Sequence, residues 1–259
     1  MKDGAILVLK TGEALPPVKR LFGDFEDWIA RGLGLPVEAL EVASVHEGEA
    51  LPPVESIGGV VVTGSPLMVT HRADWSEAAA RWLAGIVESD AVPVLGLCYG
   101  HQLLAHALGG EVGVNPMGRE MGTVDVRFVS SSSTGGGREP VAAVDGLLAP
   151  LFESGSFPGH MSHVESVLRP PEGARILAST DLDPHSVLVF GPRQWGVQFH
   201  PEFDRAIMRG YVEARREILE REGLDPAAMI EQTVETPALT AVLTRFADLV
   251  REAGGRGSG

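Results

Sequence analysis

The chain has 259 residues, 44% of them hydrophobic and 22% charged, which is a globular composition with length for one large domain or two small ones. Thirty-five acidic residues against 21 basic ones give a net charge of −14, with no Lys/Arg cluster, so a nucleic-acid or anionic-membrane surface is excluded as its main business. The single cysteine, Cys98, excludes an internal disulfide and a cysteine-rich zinc site.

The first ten residues, MKDGAILVLK, lack the h-region and small-residue cleavage site of a signal peptide. No stretch reaches the ~18 uninterrupted apolar residues that a membrane span needs, so the expectation is a cytoplasmic protein with no membrane partner. Residues 5–9 read as a buried strand. Val18, Leu21, Phe22, Phe25, Trp28 and Ile29 recur at three- and four-residue steps and predict one helix, stopped by Gly32 and Gly34. Residues 60–62 form a second buried strand. Asp74 with Glu77 three residues on reads as the capping box of a helix striped by Trp75, Ala79, Trp82, Leu83 and Ile86. A third strand over 92–97 feeds a helix over 99–108, ended by Gly109 and Gly110. All-apolar strands alternating with amphipathic helices predict an α/β fold, a mostly parallel sheet covered on both faces.

The second half changes character. Residues 120–129 alternate, and SSSTGGG at 131–137 reads as a flexible turn or loop. Strand-like pieces over 174–178, 186–190 and 195–199 suggest an antiparallel extension returning to the main sheet. Ile207, Met208, Tyr211 and Val212 begin one helix. Thr236–Pro237 starts another, striped by Leu239, Val242, Leu243, Phe246, Leu249 and Val250. With no repeat and no strong linker, the expected organisation is one domain over 1–203, a helical extension over 204–253 packed on it, and a disordered tail over 254–259.

Cys98 stands in LGLCYGHQLLAHALGG, at a strand end and a helix start, flanked by Gly96 and Gly100. G-x-C-x-G is the thiol version of the nucleophile elbow. A sharp strand-to-helix turn needs small neighbours, lifts the sulfur out of the sheet and sets it over a helix N-terminus that favours thiolate. The backbone N–H of Tyr99 then points to where an oxyanion would form. The bland alternative is a small buried hydrophobe. In WGVQFHPEF, His200 lies just past a strand, and Glu202 follows beyond Pro201, placed to accept the other imidazole N–H and set the tautomer. The alternative there is a surface histidine beside a chance acid. His101 and His106 are five apart, which does not suit a metal pair, and no metal or organic cofactor is expected.

In combination, GVVVTGSP, GLCYGHQ, GHMSH and GVQFHPEF resemble, in that order, the class I (triad) glutamine amidotransferases, the superfamily of the GMP synthetase glutaminase domain. The resemblance covers most of 5–203. It implies a three-layer, flavodoxin-like sheet with helices on both faces, with Cys98 as nucleophile, His200 as general acid/base and Glu202 as its orienting carboxylate. It implies an oxyanion hole from Tyr99 and the loop after the second strand, and glutamine binding by Gln102, Ser162 and His163. The family commonly reads S-G-G-P in that loop, whereas Thr63-Gly64-Ser65-Pro66 stands here, so Gly64 and Ser65 are both donor candidates. The GMP synthetase type has H-G-D where this chain has His163-Val164-Glu165.

The implied reaction is hydrolysis of the L-glutamine side-chain amide through a Cys98 thioester, with ammonia passed to a synthetase partner. The alternatives are a γ-glutamyl peptidase or amidase acting on another γ-glutamyl compound, and a non-catalytic regulatory protein. About fifty residues follow Phe203, short of a synthetase domain of ~100 or more, and no S-G-G-x-D-S pyrophosphate loop occurs. The helical extension either completes the fold or offers a docking surface for a partner or for a second copy in a homodimer.

Overall fold

A computed structural model of the chain describes residues 5–129, 146–151 and 155–256. The strands are β1 (Ile6–Lys10), β2 (Glu41–Ser44), β3 (Gly59–Val62), β4 (Val94–Leu97), β5 (Glu111–Val114), β6 (Glu120–Phe128), β7 (Ser156–His163), β8 (Glu165–Arg169), β9 (Arg175–Ser179), β10 (Val187–Gly191) and β11 (Gln194–Val197). The helices are α1 (Pro16–Phe22), α2 (Phe25–Leu33), α3 (Asp74–Ser89), α4 (Tyr99–Ala107), α5 (Arg205–Ala214), α6 (Arg216–Arg221), α7 (Pro226–Gln232) and α8 (Pro237–Arg256).

One nine-stranded sheet runs β2-β1-β3-β4-β11-β10-β9-β6-β7, and β5 pairs with β8 in a small second sheet. The β2-β1-β3-β4-β11 half is parallel, and the β10-β9-β6-β7 half is antiparallel. The expected α/β fold with a mostly parallel central sheet and an antiparallel extension is what forms. Alternation along the parallel strands separates two apolar cores. Ile6, Val8, Val61, Leu95 and Leu97 face Trp28, Ile207 and Phe246. Leu7, Leu9, Val60, Val62 and Val94 face Leu83, Tyr99 and Leu103.

The structure departs from the sequence-based elements at several points. The first helix is two, because Gly23 at φ +86° turns the chain and Asp24 caps a new helix, with Asp27 returning the capping-box bond to its N–H. The break is fastened by Lys10, whose ammonium sits 2.8 Å from both Asp24 and Glu26. Gly32 stays inside α2, and Gly34, left-handed at φ +70°, ends it. Asp74 does not cap α3, which has Ala73 at that position and no side-chain cap, and Glu77 instead meets His106 Nε2 at 2.9 Å. Strand β11, expected with the antiparallel pieces, pairs parallel with β4 on its other edge. The final helix continues to Arg256, past the 254 boundary expected for a tail, since each further residue adds a helical hydrogen bond. The 131–137 segment and residues 257–259 lie outside the described residues.

The turn from β4 into α4 leaves no room for a side chain at either of its glycines. A Cβ on Gly96 would lie 2.5 Å from the Gly100 oxygen, and one on Gly100 would lie 2.6 Å from the Val62 oxygen. Both clashes are with backbone, so neither can be relieved by turning a side chain. Gly100→Ala is therefore expected to destabilise the fold by about 1–3 kcal/mol. Gly85→Ala, where nothing lies within 4 Å, is expected to be neutral or stabilising by up to about 1 kcal/mol. Urea melts of the two variants check this, and equal midpoints would contradict the stated packing.

Candidate active site

Strands β4 and β11 are neighbours with Leu97 opposite Val197, so the residues after their C-terminal ends are brought together. Cys98 occupies the N-cap of α4 at φ +49°, ψ −97°, a conformation that costs a non-glycine residue about 1–3 kcal/mol. Its own N–H is spent on the Val197 carbonyl at 2.8 Å, and its carbonyl accepts from Gln102 N–H at 3.1 Å. The strained turn is thus held from the neighbouring strand and from the helix it opens. The thiol is buried, yet it lines a cleft with Ser65, Tyr99, Gln102, Ser162 and His163.

His200 follows β11. Its N–H donates to the His160 carbonyl at 2.9 Å, and its ring stacks on Phe203 at 4.1 Å and 14°. Phe203 is in turn held edge-on by Trp28 at 5.4 Å. His200 Nδ1 lies 2.7 Å from Glu202 Oε1 in a fully buried pair. The imidazole also lies near enough to Cys98 for the sulfur to favour its charged form. With Nδ1 taken by Glu202, Nε2 is the nitrogen left for the thiol. Burial opposes charge on His200, but the carboxylate of Glu202 and the sulfur of Cys98 outweigh it and push its pKa up to about 10.

The loop after β3 runs along the other side of the imidazole. A Cβ on Gly64 would come within 2.9 Å of His200 Cε1. Neither Gly64 nor Ser65 has a positive φ, so the Ser in place of the family's second glycine bears no left-handed strain. The Ser65 hydroxyl is turned away to donate to the Thr11 carbonyl at 2.9 Å. Thr11 and Thr63 complete the fastening: Thr11 N–H donates to Thr63 Oγ1 at 3.0 Å, and Thr11 Oγ1 lies 3.1 Å from the Gly64 carbonyl. Tyr99 likewise turns its side chain out of the cleft, its hydroxyl 2.7 Å from Ser76 Oγ.

The three residues expected to bind substrate divide. Ser162 lines the cleft on both its Cys98 and His200 sides. Gln102 lines it too, but its amide donates to the Glu165 carbonyl at 2.7 Å and to Gln198 Oε1 at 3.0 Å. The His163 ring is tied up, with Nδ1 2.9 Å from the Glu165 carbonyl and Nε2 3.1 Å from Glu120 Oε2. Glu165, which the sequence marked only as a departure from H-G-D, contributes a cleft-lining carboxylate held by the Thr70 hydroxyl. Arg119 and Arg215 also line the cleft, and no motif pointed to either. Nor did one point to Phe203 as the support of His200. Among the described residues, no cluster of His, Cys, Asp and Glu could hold a metal ion, and no helix is long and apolar enough to cross a membrane.

The class-I glutamine amidotransferase family model matches residues 26–212, and the chain belongs to that family. A GMP synthase (glutamine-hydrolysing) of Aeropyrum pernix is 40% identical over 174 residues, 66% of this chain and 29% of that protein. One of Leifsonia xyli is 41% identical over 145 residues, 56% of this chain and 25% of that one. The match thus spans under a third of these relatives. Among solved structures, a glutamine amidotransferase of Thermotoga maritima superposes with a TM-score of 0.71 at 19% identity, over 97% of this chain and 99% of that one. One from Methylobacillus flagellatus gives 0.65 at 21% identity, over 99% and 96%. The flavodoxin-like arrangement is the fold they share.

Two buried histidines beside the site set an acid limit. Burial, with the charge of His163 adding to it, lowers His101 to about 3, and burial with the charge of His200 lowers His160 to about 4. Both folded values lie below the ~6.5 of a free histidine, so the native state binds fewer protons than the unfolded chain below that pH. Above pH 6.5 these two histidines carry no penalty, and below it their cost grows toward pH 4. Asp183, whose carboxyl burial raises, and His200, whose raised value favours the folded state at lower pH, offset part of the loss. By pH 5 each histidine contributes a loss of about 2 kcal/mol. Urea melts at pH 5 and 7 check this, and His160→Gln is expected to remove about half of the histidine-dependent difference.

Proposed function

We propose that the protein hydrolyses the side-chain amide of L-glutamine with Cys98 as nucleophile, His200 as general acid/base and Glu202 as the carboxylate that orients it. The observation that carries this reading is an imidazole held by Glu202 at 2.7 Å within electrostatic reach of the Cys98 sulfur, with both residues following the ends of two neighbouring parallel strands.

The thiolate attacks the amide carbon, and the C=O electron pair moves to oxygen. The Tyr99 N–H and an N–H of the Gly64–Ser65 loop would receive that oxyanion. As the C–N bond breaks, His200 gives its proton to the leaving nitrogen, and ammonia departs from a glutamyl thioester. The same contacts explain how one histidine serves both halves. Two of the influences raising His200 come from the Cys98 sulfur. Once that sulfur is acylated its negative charge is gone, while the burial that disfavours imidazolium remains. The deprotonated ring then takes a proton from water, which attacks the thioester, and glutamate leaves as the thiolate–imidazolium pair reforms.

Gln102 and Ser162 border the space the glutamyl group would occupy. His163, its ring occupied elsewhere, contributes main chain and fixes the segment through Glu120. The relatives named above as GMP synthases are glutamine-hydrolysing, which supports a partner that uses the ammonia. The acceptor would be a synthetase component.

Cys98→Ser is expected to abolish ammonia release from glutamine while leaving the melting temperature within a few degrees of the parent. Glu202→Gln, which keeps the shape but removes the charge that fixes the imidazole, is expected to lower kcat on the order of 10²–10⁴-fold with little change in KM. A coupled glutamate dehydrogenase assay reads both. Undiminished release by Cys98→Ser would overturn the reading.

A further inference from the structure

The cleft beside Cys98 contains cationic groups that amide hydrolysis does not use. Arg119, just before β6, is fastened to Glu222 by two bonds, Nε to Oε2 at 2.7 Å and Nη2 to Oε1 at 3.0 Å. Arg215, at the joint between α5 and α6, borders the cleft on both its Cys98 and its His200 side. Its Nε is buried with no hydrogen-bond partner, and it makes no ion pair within 4.0 Å among the described residues. Glu222, whose charge favours the Arg215 guanidinium, is already engaged by Arg119. Burial and the like charge of Arg119 both work against the Arg215 guanidinium. Such a group is costly unless an anion completes it. It also lies beyond residue 212, where the family match ends.

Carboxylate chemistry matches what is missing. A guanidinium offers five donors in a planar fork that takes a carboxylate through two parallel bonds. Glu165, on the same cleft, is held by Thr70 and is not free to fill the role. The open space on the Cys98 side is about 20 Å³, so a substrate enters by displacing lining side chains. An arginine without an ion pair gives up no bond in moving. Enclosure by low-dielectric walls strengthens its attraction for an anion.

We propose that Arg215, braced by the Arg119–Glu222 pair, is a carboxylate-binding residue of the substrate site that selects γ-glutamyl compounds by an acidic group. This rests on the reading that the cleft takes a γ-glutamyl amide. The carboxylate belongs either to the α-carbon of the glutamyl group or to the amine side of the scissile bond.

Calorimetric titration of the Cys98→Ser protein, with Arg215 intact and with Arg215→Gln, separates these sources. One probe pair is L-glutamine and its α-carboxamide, and the other is γ-glutamylglycine and γ-glutamyl methylamide. Loss of Arg215 is expected to weaken the acidic member of one pair about 10- to 100-fold while the neutral member changes about twofold or less. The pair affected identifies the carboxylate. Arg215→Lys, which keeps the charge without the fork, is expected to lose several-fold less, and it alone decides the matter if Arg215→Gln does not fold. The proposal is overturned if both members of each pair weaken equally, if neither changes, or if the Arg215-intact protein binds none of them. Ammonia release by the unmodified protein is read separately. Arg215-dependent binding without release would refute the hydrolysis and leave the subsite standing. Release with KM unchanged in Arg215→Gln would refute the subsite alone.

Discussion

Everything at the site depends on how closely the first turn of α4 approaches the sheet. The helix comes so near that Gly96 and Gly100 leave no room for a Cβ against Gly100 and Val62 backbone. At that distance the chain can pass from strand to helix only through a sharp turn, and Cys98 takes the strain at φ +49°. The cost is of the order that a few tertiary hydrogen bonds repay, and the bond from Cys98 N–H to Val197 is one of them. That bond also ties the turn to the strand from which His200 emerges. The geometry of the thiol and the geometry of the imidazole are therefore one constraint, imposed by parallel pairing of β4 with β11.

The imidazole is more heavily supported than the thiol. Phe203 covers its face, Trp28 holds Phe203, and α2 carries Trp28 because the chain breaks at Gly23–Asp24 and restarts. The Lys10–Asp24–Glu26 cluster that fastens this break sits at the end of β1, next to Thr11. Thr11 in turn holds the Gly64–Ser65 loop. A buried cationic group at the C-terminal end of β1 thus steadies both the platform under His200 and the loop beside it. Removing one member of such a cluster leaves an unpaired buried charge, so the cluster acts as a specifier of this arrangement more than as a source of stability.

Legibility from the sequence followed the range of the interactions. The parallel strands were readable because burial on both faces makes them continuously apolar. The elbow was readable because its glycines, cysteine and helix start lie within a few residues. The His200–Glu202 pair spans two positions and was equally local. Helix α1–α2 was misread as continuous because its apolar spacing runs across Gly23, and only the capping by Asp24 and Asp27 separates the halves. Asp74 has the composition of a cap without its geometry. Phe203 closes the quoted GVQFHPEF segment three residues from the ring it covers, but nothing in that pattern marks it as a support. Glu165, Thr11 and Arg215 belong to the site through contacts between segments far apart in the chain. Their residue types carry no mark of that, and no local pattern could have singled them out.

The helices after Phe203 bear directly on the cleft. Tyr211 packs against Phe203 at 4.7 Å and lines the His200 side of the cleft. Arg215 and Glu222 bring charge to its mouth, the latter through Arg119. In a chain of net charge −14, long-range repulsion would disfavour an anionic substrate, and the Debye length of about 8 Å at physiological ionic strength limits that penalty to the outer approach. Within the cleft Arg119 is paired with Glu222 and Glu165 is held by Thr70, so the short-range pull on a carboxylate falls to Arg215, which proximity and a low dielectric strengthen. Selection by an acidic group thus operates at short range, where bidentate geometry distinguishes a carboxylate from a carboxamide. The overall charge contributes solubility and leaves recognition to the residues that line the site.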